Sequence, residues 1–492
     1  SFRLLAGNEY SFQNRIWNYS AKNGFPTGSA QVPSAGSQYF DMAGDETSYA
    51  FQGLIGKVDY DYKSKYFLSG SFRRDGSSRF PKDNRYGNFY SVGAAWRVTE
   101  EEWMKSISWL NELKVRSSYG VMGNAEGLGN YPYQPLYSLN GSYDGQSVAY
   151  LKQAANYNLG WEKQNLFDVG ADISMLNRRL NVGIGYYNKR SSALLMEKPV
   201  SMTTGFSTMT MNVGKMMNQG FEISVGGVPV QTKNFTWTSD LNFATLKNKV
   251  LSLGGDQAIP SGTRQRIEVG MPFGSWYMPV WAGVNPENGA AQWLAADGKT
   301  TEVYSEAVRQ YVGQLLPKIT GGFTNKFNYK DFDLSVFITF STGNKAYNSN
   351  RANLESDGAN TTGNQAAAAG DHWQKEGDHA ERPKVIWGNG TSSTSTSTRF
   401  LEDVSYAKLR NVQLGYNLPK AVLNRTKLQS LRVYAQAENL YTLTKYKGWD
   451  PEINTNPAPP TSTANTAVSN GGLDFYRYPT ARVITFGINV GL

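Results

Sequence analysis

The segment Tyr478–Leu492 (YPTARVITFGINVGL) reads as a β-strand whose two faces differ in chemistry. One face is apolar throughout and is formed by Ile484, Phe486, Ile488, Val490 and Leu492. The intervening residues are small or polar, and they are Thr485, Gly487, Asn489 and Gly491. Side chains alternate between the two faces of a strand, so this period of two predicts one apolar and one hydrated face. Strands of soluble sheets alternate in the same way, so the segment alone does not fix what the apolar face contacts.

The composition predicts an all-β protein. The 492 residues include 50 Gly, 30 Tyr, 23 Phe and 12 Trp, and long stretches lack the Leu-rich periodicity of helices. No run of about 18 apolar residues occurs, so no transmembrane helix is expected. The mean hydropathy of −0.49 fits a soluble protein. It fits a transmembrane barrel equally well, because only every second residue of a barrel strand has to be apolar.

Charge and cysteine content exclude several classes of function. The chain has no Cys, which excludes disulfides, thiolate metal sites and cysteine catalysis. Its formal net charge of +9 is spread along the chain. This distribution favours contact with an anionic surface such as lipopolysaccharide over nucleic acid. No signal peptide is recognisable at Ser1, so we expect either that a leader was removed or that the chain starts inside a larger protein.

Tight hairpins recur along the chain. Residues 54–73, for example, form two alternating segments around a short Lys-Ser-Lys turn. In total the alternation predicts about 14 strands. They lie near residues 2–12, 54–62, 66–73, 87–98, 112–121, 163–174, 180–190, 219–228, 235–246, 318–329, 332–342, 403–418, 429–443 and 480–492. Short and long turns alternate, and the long loops are 122–160, 247–317, 343–399 and 445–479.

This alternation of turn lengths favours a membrane barrel. Outer-membrane barrels have short periplasmic turns and long extracellular loops. A large soluble β-protein would have the hairpins but would not predict the asymmetry. Tyr62 and Tyr66, beside a short turn, fit an interfacial aromatic girdle. We therefore predict a transmembrane antiparallel β-barrel with both chain ends on the periplasmic side, because the strand number is even.

Two segments resemble the SusC/RagA family of TonB-dependent outer-membrane transporters. They are FLEDVSYAKLRNVQLGYNLP (400–419) and LRVYAQAENLYTLTKYKGWDPEIN (431–454). Further similar signatures cover almost the whole chain, namely RRDGSSRF, VRSSYGVMGN, NVGKMMNQGFE, LKNKV and PKITGGFTNKFNYKDFDLSVF. One departure is Val404, because the family often has glycine at this position.

The resemblance implies that residues 1–492 are the C-terminal part of a barrel of about 22 strands. The family's signal sequence, TonB-contacting segment, plug domain and about eight first strands would then precede Ser1. The resemblance also implies that the last strand closes the barrel by pairing with the first, because an open strand edge in lipid leaves backbone groups unpaired.

The function implied by the resemblance is active import of oligomeric nutrients, either oligosaccharides or oligopeptides, across the outer membrane. The family cleaves no bond in this process and needs no cofactor. Its partners are a SusD-like surface lipoprotein that serves as a lid and the TonB–ExbB–ExbD complex that supplies energy, and two such transporter–lid pairs can form a dimer. The alternative is a passive structural or adhesin barrel without a transport cycle.

The sequence offers few options for catalysis or metal binding. It has no G-x-S-x-G elbow, P-loop or dinucleotide fingerprint, so no enzyme is predicted. His372 and His379, in GDHWQKEGDHAE (370–381), are candidate metal ligands together with nearby carboxylates. Their seven-residue spacing does not place them on one helix turn, and the segment also matches a loop of the SusC/RagA pattern.

The aromatic-rich loop 247–317 supplies the candidate substrate-binding residues. Trp276, Tyr277, Trp281 and Trp293 could stack on sugar rings or hold peptide side chains, whereas Arg264 and Arg266 could bind acidic groups. The alternative is that these aromatic residues pack the loop onto itself or onto a lid protein.

Lys408 and Arg410 conflict with the alternation of the strand that contains them. Extending the apolar face of SYAKLRNVQLGYNL (405–418) backwards places both cations toward lipid. A cation costs about 2–4 kcal/mol at the bilayer midplane and about 0–1 near the interface. We therefore predict that both residues lie at the outer-leaflet boundary, paired with lipopolysaccharide phosphates. The alternative is a β-bulge near Leu409 that turns both cations into the lumen.

Overall fold

The computed structural model describes residues 1–29, 32–126, 129–388, 391–424, 428–453 and 471–491. Fourteen antiparallel strands follow each other in chain order along one hydrogen-bonded sheet. They are β1 Phe2–Asn23, β2 Gln38–Tyr62, β3 Tyr66–Ser77, β4 Tyr86–Arg97, β5 Leu110–Asn124, β6 Glu162–Met175, β7 Leu180–Pro199, β8 Thr208–Gln231, β9 Phe235–Thr245, β10 Ile319–Tyr329, β11 Phe332–Thr342, β12 Tyr406–Asn417, β13 Ser430–Thr444 and β14 Val483–Gly491. Each predicted strand overlaps one of these fourteen.

The remaining elements are short and lie in the connections between these strands. The short strands are Leu136–Tyr143, Gln146–Gln153, Lys247–Leu253, Ala258–Ser261, Gln265–Glu268, Ser275–Pro279, Trp281–Val284, Ala291–Leu294, Thr300–Thr301, Arg309–Gln314, Lys345–Asn348, Leu401–Asp403 and Leu473–Asp474. The α-helices are α1 Ser349–Leu354 and α2 Lys420–Leu423. Single 3-10 turns span Pro33–Ala35, Lys82–Asn84, Val98–Glu100, Glu102–Met104, Met202–Thr204, Tyr304–Glu306, Ala367–Gly370 and Thr398–Phe400. Among the described residues, no helix has the length and apolar character needed to cross a bilayer.

The strands β1 and β14 are the two edges of the sheet. Within the described residues no ladder of hydrogen bonds joins them. Closure of the barrel, and its total of about 22 strands, therefore stay predictions.

The apolar face of β14 continues across its neighbours, as predicted. The apolar residues of β14 pair with Ala437, Ala435, Val433 and Leu431 of β13. Three of these pair in turn with Val412, Leu414 and Tyr416 of β12. The β14 residues Ile484, Phe486, Ile488 and Val490 are between 52% and 79% exposed, so no second sheet within the described residues covers this face. Leu492, which we placed on the same face, lies outside the described residues.

The opposite face of the same strands is polar. Arg432 of β13 pairs with Asp333 of β11 at 2.6 Å. Gly487 leaves room on this face for the ring of Tyr434, which would have to shift if a Cβ atom were present. One apolar and one polar face on every strand is what a lipid-facing barrel wall needs.

The short turns lie at one end of the sheet and the long connections at the other, because the strands are antiparallel and follow chain order. At the short-turn end, Tyr66 stacks between Tyr62 and Trp96, with ring centroids 6.4 and 6.3 Å apart. This row of aromatic rings has the position of an interfacial girdle.

Four strands are much longer than the sequence alternation predicts. β1, β2, β7 and β8 contain 22, 25, 20 and 24 residues, whereas a tilted membrane strand needs about 9–11. The outer half of β8 is supported by the short strand Lys247–Leu253, which pairs with Gly214–Gln219 beyond the end of β9. The extension of β7 contacts local apolar clusters in the connections, because Leu195 packs with Phe80 and Trp161 and Met196 packs beside Val250 and Leu253.

The predicted outward orientation of Lys408 and Arg410 is wrong. The ladders of β12 with both β11 and β13 shift register at Arg410, which makes this residue a β-bulge. The extra residue moves Lys408 to the polar face, where it is 2% exposed. Its ammonium group donates to Asp450 at 2.9 Å and to Glu452 at 2.7 Å, and Arg410 also donates to Glu452. The two carboxylates lie in the connection between β13 and β14. They determine the orientation of Lys408 against the simple alternation, because a cation paired with acids is far more stable than one facing lipid.

We predict that Lys408→Met loosens the connection between β13 and β14. The substitution leaves Asp450 without its cation, and breaking a buried ion pair from one side costs about 3–5 kcal/mol. Faster hydrogen exchange in residues 471–482 measures the effect. Lys326→Met is the matched control, because Lys326 is exposed and belongs to no ion pair among the described residues. Equal exchange in the two variants would show that the Lys408 ion pairs do not hold this connection.

Candidate functional site

Three long connections at the end opposite the short turns pack into one body. We call this body the loop cluster and define it as residues 246–318, 343–405 and 445–482, without the undescribed 389–390 and 454–470. A small sheet joins two of the connections, because Lys345–Asn348 pairs with both Leu401–Asp403 and Leu473–Asp474. The loops are therefore folded structures and not extended coil.

The loop cluster has its own apolar core. Trp276 and Met278 of the first connection pack with Tyr347, Phe400 and Leu401 of the second, and all five are at most 8% exposed. The indole nitrogen of Trp276 donates to the backbone carbonyl of Lys345 at 3.0 Å. This contact satisfies the polar end of a fully buried ring and fixes the first connection against the second.

A buried ion-pair network surrounds this core. Glu355 accepts hydrogen bonds from Arg351 at 2.9 Å and from Arg382 at 3.0 Å, and Arg351 also pairs with Glu402. Burial opposes ionisation of Glu355, but the two guanidinium groups outweigh it and hold the pKa of this carboxyl below its usual range. The stabilisation is present above the usual carboxyl pKa and is lost as pH falls through the lowered value.

A second buried ion pair joins two distant parts of the connection 343–405. Arg399 donates to Asp357 at 2.8 Å, and both side chains are at most 4% exposed. Ser393 also donates to Asp357, at 2.7 Å. The Arg399 guanidinium lies 5.0 Å from the centre of the Trp281 ring, which links the pair to the first connection.

A cavity of about 610 Å³ opens among these elements. It is lined by Arg264 and Tyr347, by the hydroxyl and amide side chains of Ser349, Asn353 and Asn360, and by Phe475. Its size lies within the range of small-molecule sites, about 300–1,000 Å³. Only Arg264 of these residues was among the candidates from sequence. The hydroxyl- and amide-rich sequence of 349–360 was the signal that could have identified Ser349, Asn353 and Asn360.

The predicted aromatic residues occupy different environments. Trp276 and Trp293 are fully buried, so they present no surface to a ligand in this conformation. Trp281 packs edge-on against Trp293 with centroids 5.8 Å apart, and Tyr304 also packs edge-on against Trp293. Tyr277 packs against Tyr311 at 5.0 Å. The packing role is therefore observed for these residues, and a role in substrate binding stays a prediction.

The two candidate arginines differ in their contacts. Arg266 lies 4.8 Å from the ring centre of Tyr277 and pairs with Glu268 at 3.2 Å. Arg264 lies 4.5 Å from the ring centre of Tyr347 and lines the cavity. The structure thus places only Arg264 at the cavity and without a carboxylate partner among the described residues.

The candidate metal ligands His372 and His379 do not come together in a metal site. In the part of the chain that the structure describes, no three His, Asp or Glu side chains form a cluster that could hold an ion. Asp378, between the two histidines, instead accepts backbone hydrogen bonds from Gln374 and Lys375, both at 3.0 Å. These bonds lower the pKa of Asp378 and shape the loop.

We predict that Glu355→Gln loosens the loop cluster. The amide keeps the shape of the side chain but leaves Arg351 and Arg382 with uncompensated charge, at a cost of about 3–5 kcal/mol. Limited proteolysis and hydrogen exchange across 349–403 measure the change. Glu376→Gln removes one charge from an exposed position nearby and is expected to leave both measurements unchanged. Indistinguishable proteolysis of the two variants would contradict the proposed role of the network.

Known proteins match this architecture over nearly the whole chain. Residues 1–440 match the family model described as TonB dependent receptor-like, beta-barrel. TonB-dependent receptor P3 of Formosa agariphila is 32% identical over 465 residues, which are 89% of this chain and 45% of that protein. TonB-dependent receptor SusC of Bacteroides thetaiotaomicron is 29% identical over 521 residues, with 99% of this chain and 48% of SusC covered. The chain therefore spans about half the length of these curated relatives.

Solved structures also match this chain over nearly its whole length. The RagAB peptide transporter matches with a TM-score of 0.87 and 27% identity, over 99% of this chain and 53% of that chain. The RagAB peptide importer in its "open-open" state matches with a TM-score of 0.86. The fourteen-strand sheet, its two-faced strands and these matches together show that the chain belongs to the TonB-dependent receptor β-barrel family, in its SusC/RagA group.

Proposed function

We propose that this chain is the C-terminal barrel part of an outer-membrane transporter that imports oligomeric nutrients with energy from the TonB–ExbB–ExbD complex. The observation that carries the proposal is the family match over residues 1–440 together with the continuous apolar face of the sheet. An apolar face of this kind needs lipid against it, and a polar face opposite it suits a hydrated or plugged lumen.

The loop cluster favours transport over a passive or adhesin barrel. The loops of a passive barrel need only to be soluble. This cluster, in contrast, has its own core, buried ion pairs and a polar cavity. Long loops that are folded and contain a cavity are typical of binding sites. The cluster therefore supports a role in capturing cargo at the outer end of the barrel.

The proposed partners are taken from the known proteins that this chain matches. RagAB is a peptide transporter by its description, and SusC is a named relative. We extend to this chain a SusD-like surface lipoprotein that covers the loop cluster as a lid. A plug and about eight further strands, supplied outside residues 1–492, complete the proposed barrel.

Uptake by the full-length protein is expected to depend on TonB. Cells that produce the protein are given a mixture of oligosaccharides and oligopeptides, and depletion of the medium is followed by mass spectrometry. Depletion of particular oligomers that stops when TonB is inactivated supports active import. Depletion that continues without TonB would show a passive pore, and no depletion in either strain would favour the adhesin alternative.

Exposed aromatic side chains on the loop cluster are the expected contacts for the lid. Trp387 is 80% exposed and Tyr478 is 95% exposed. Aromatic residues contribute strongly to protein interfaces, and truncating an anchor typically costs about 2 kcal/mol or more. We predict that the double variant Trp387→Ala, Tyr478→Ala co-purifies with much less of the lipoprotein than the wild type.

The matched control is Trp103→Ala. Trp103 is 62% exposed but lies in a connection at the short-turn end of the sheet, away from the loop cluster. It is expected to keep full co-purification. Full retention of the lipoprotein by the double variant would place the lid interface elsewhere.

A further inference from the structure

Arg264 has no carboxylate partner in the described part of the chain. Four other arginines of the loop cluster each pair with an acid, namely Arg266 with Glu268, Arg351 and Arg382 with Glu355, and Arg399 with Asp357. The Nε atom of Arg264 is buried and has no hydrogen-bond partner among the described residues. A buried polar group in this state requires an explanation, and a missing ligand is one.

The position of the Arg264 guanidinium is fixed by the protein. It lies 4.5 Å from the ring centre of Tyr347, and that ring is 2% exposed. Burial raises the pKa of the Tyr347 hydroxyl, so this group stays neutral and does not cancel the charge of Arg264. A cation held against a rigid ring is preorganised for a ligand, because little side-chain freedom is lost on binding.

The charge of the cavity is set by Arg264 alone. Its described lining contains no Asp, Glu or Lys, and its other polar groups are hydroxyls and amides. The cavity therefore offers one positive charge surrounded by neutral hydrogen-bonding groups.

We propose that this cavity binds an acidic oligosaccharide, with Arg264 anchoring a carboxylate or sulfate group of one sugar. The guanidinium fork matches two oxygens of such a group. Ser349, Asn353 and Asn360 supply donors and acceptors for sugar hydroxyls, and Phe475, which is 57% exposed, offers an apolar surface to a sugar ring. The inference rests on the proposed import function and specifies the class of its cargo.

An acidic peptide is the competing source of a carboxylate. Extended peptides commonly bind by adding a strand to an open sheet edge. The strand in the cavity wall, Lys345–Asn348, is already paired on both sides. The other wall strand, Leu473–Asp474, is an edge of this small sheet but is only two residues long. The wall thus presents mainly hydroxyl and amide side chains, which favours a sugar.

The test uses the purified full-length protein with its lipoprotein on a glycan array that carries uronate-bearing, sulfated and neutral oligosaccharides. A library of acidic oligopeptides is assayed in parallel. The wild type is expected to retain acidic glycans, and Arg264→Gln is expected to weaken their binding at least about tenfold. Arg264→Lys keeps the charge but loses the fork, so binding of intermediate strength is expected.

The control variant is Lys299→Gln, which removes the same charge from an exposed position in the same connection. It is expected to bind like the wild type, and equal thermal unfolding temperatures of all variants show that the loop cluster stays folded. Retention of neutral glycans alone, retention of acidic peptides instead of glycans, or unchanged binding by Arg264→Gln would each overturn the inference. These outcomes leave the import function intact, because TonB-dependent depletion of the medium is measured independently.

Discussion

Backbone amides in the lipid-facing part of the sheet have no hydrogen-bonding partner except a neighbouring strand. The structure meets this requirement with one uninterrupted antiparallel path from β1 to β14. Once each strand is paired, the face of each side chain follows from its register, so an apolar residue on β14 dictates apolar residues on β13 and β12. The bulge at Arg410 is informative for this reason. It reverses the face that the preceding residues of β12 occupy and brings Lys408 to two carboxylates, while Lys408 stays paired with Thr339 and Thr442.

The loop cluster follows a different principle. Outside lipid, water can satisfy backbone groups, so folded loops need a reason to adopt one conformation. Here the reason is a small apolar core around Trp276 and a set of arginine–carboxylate pairs, of which Glu355 with two arginines is the centre. Arg264 stands apart from these pairs, because its buried Nε atom has no hydrogen-bond partner among the described residues.

The sequence predicted the sheet well and the loop cluster poorly, for physical reasons. Alternation is a local signal, so the fourteen strands and the aromatic row at Tyr62 and Tyr66 could be identified from short windows. The orientation of Lys408 depends on Asp450 and Glu452, about forty residues away, and alternation carries no information about such contacts. Arg264 and Arg266 are chemically identical in the sequence, and only the position of Glu268 and the cavity distinguishes them. Buried and exposed tryptophans in the loops are equally indistinguishable without the tertiary contacts.

The length of the β1–β2 hairpin has a consequence for what is visible from outside the cell. A strand of 25 residues has a contour of about 80 Å and, at a tilt of about 45°, rises about 55–60 Å, which is roughly twice the thickness of the hydrocarbon layer. About half of this hairpin therefore stands above the acyl chains, at the level of the sugars that coat the surface and beyond them. In the proposed outer-membrane orientation, a short epitope inserted between β1 and β2 would therefore be displayed well clear of the bilayer.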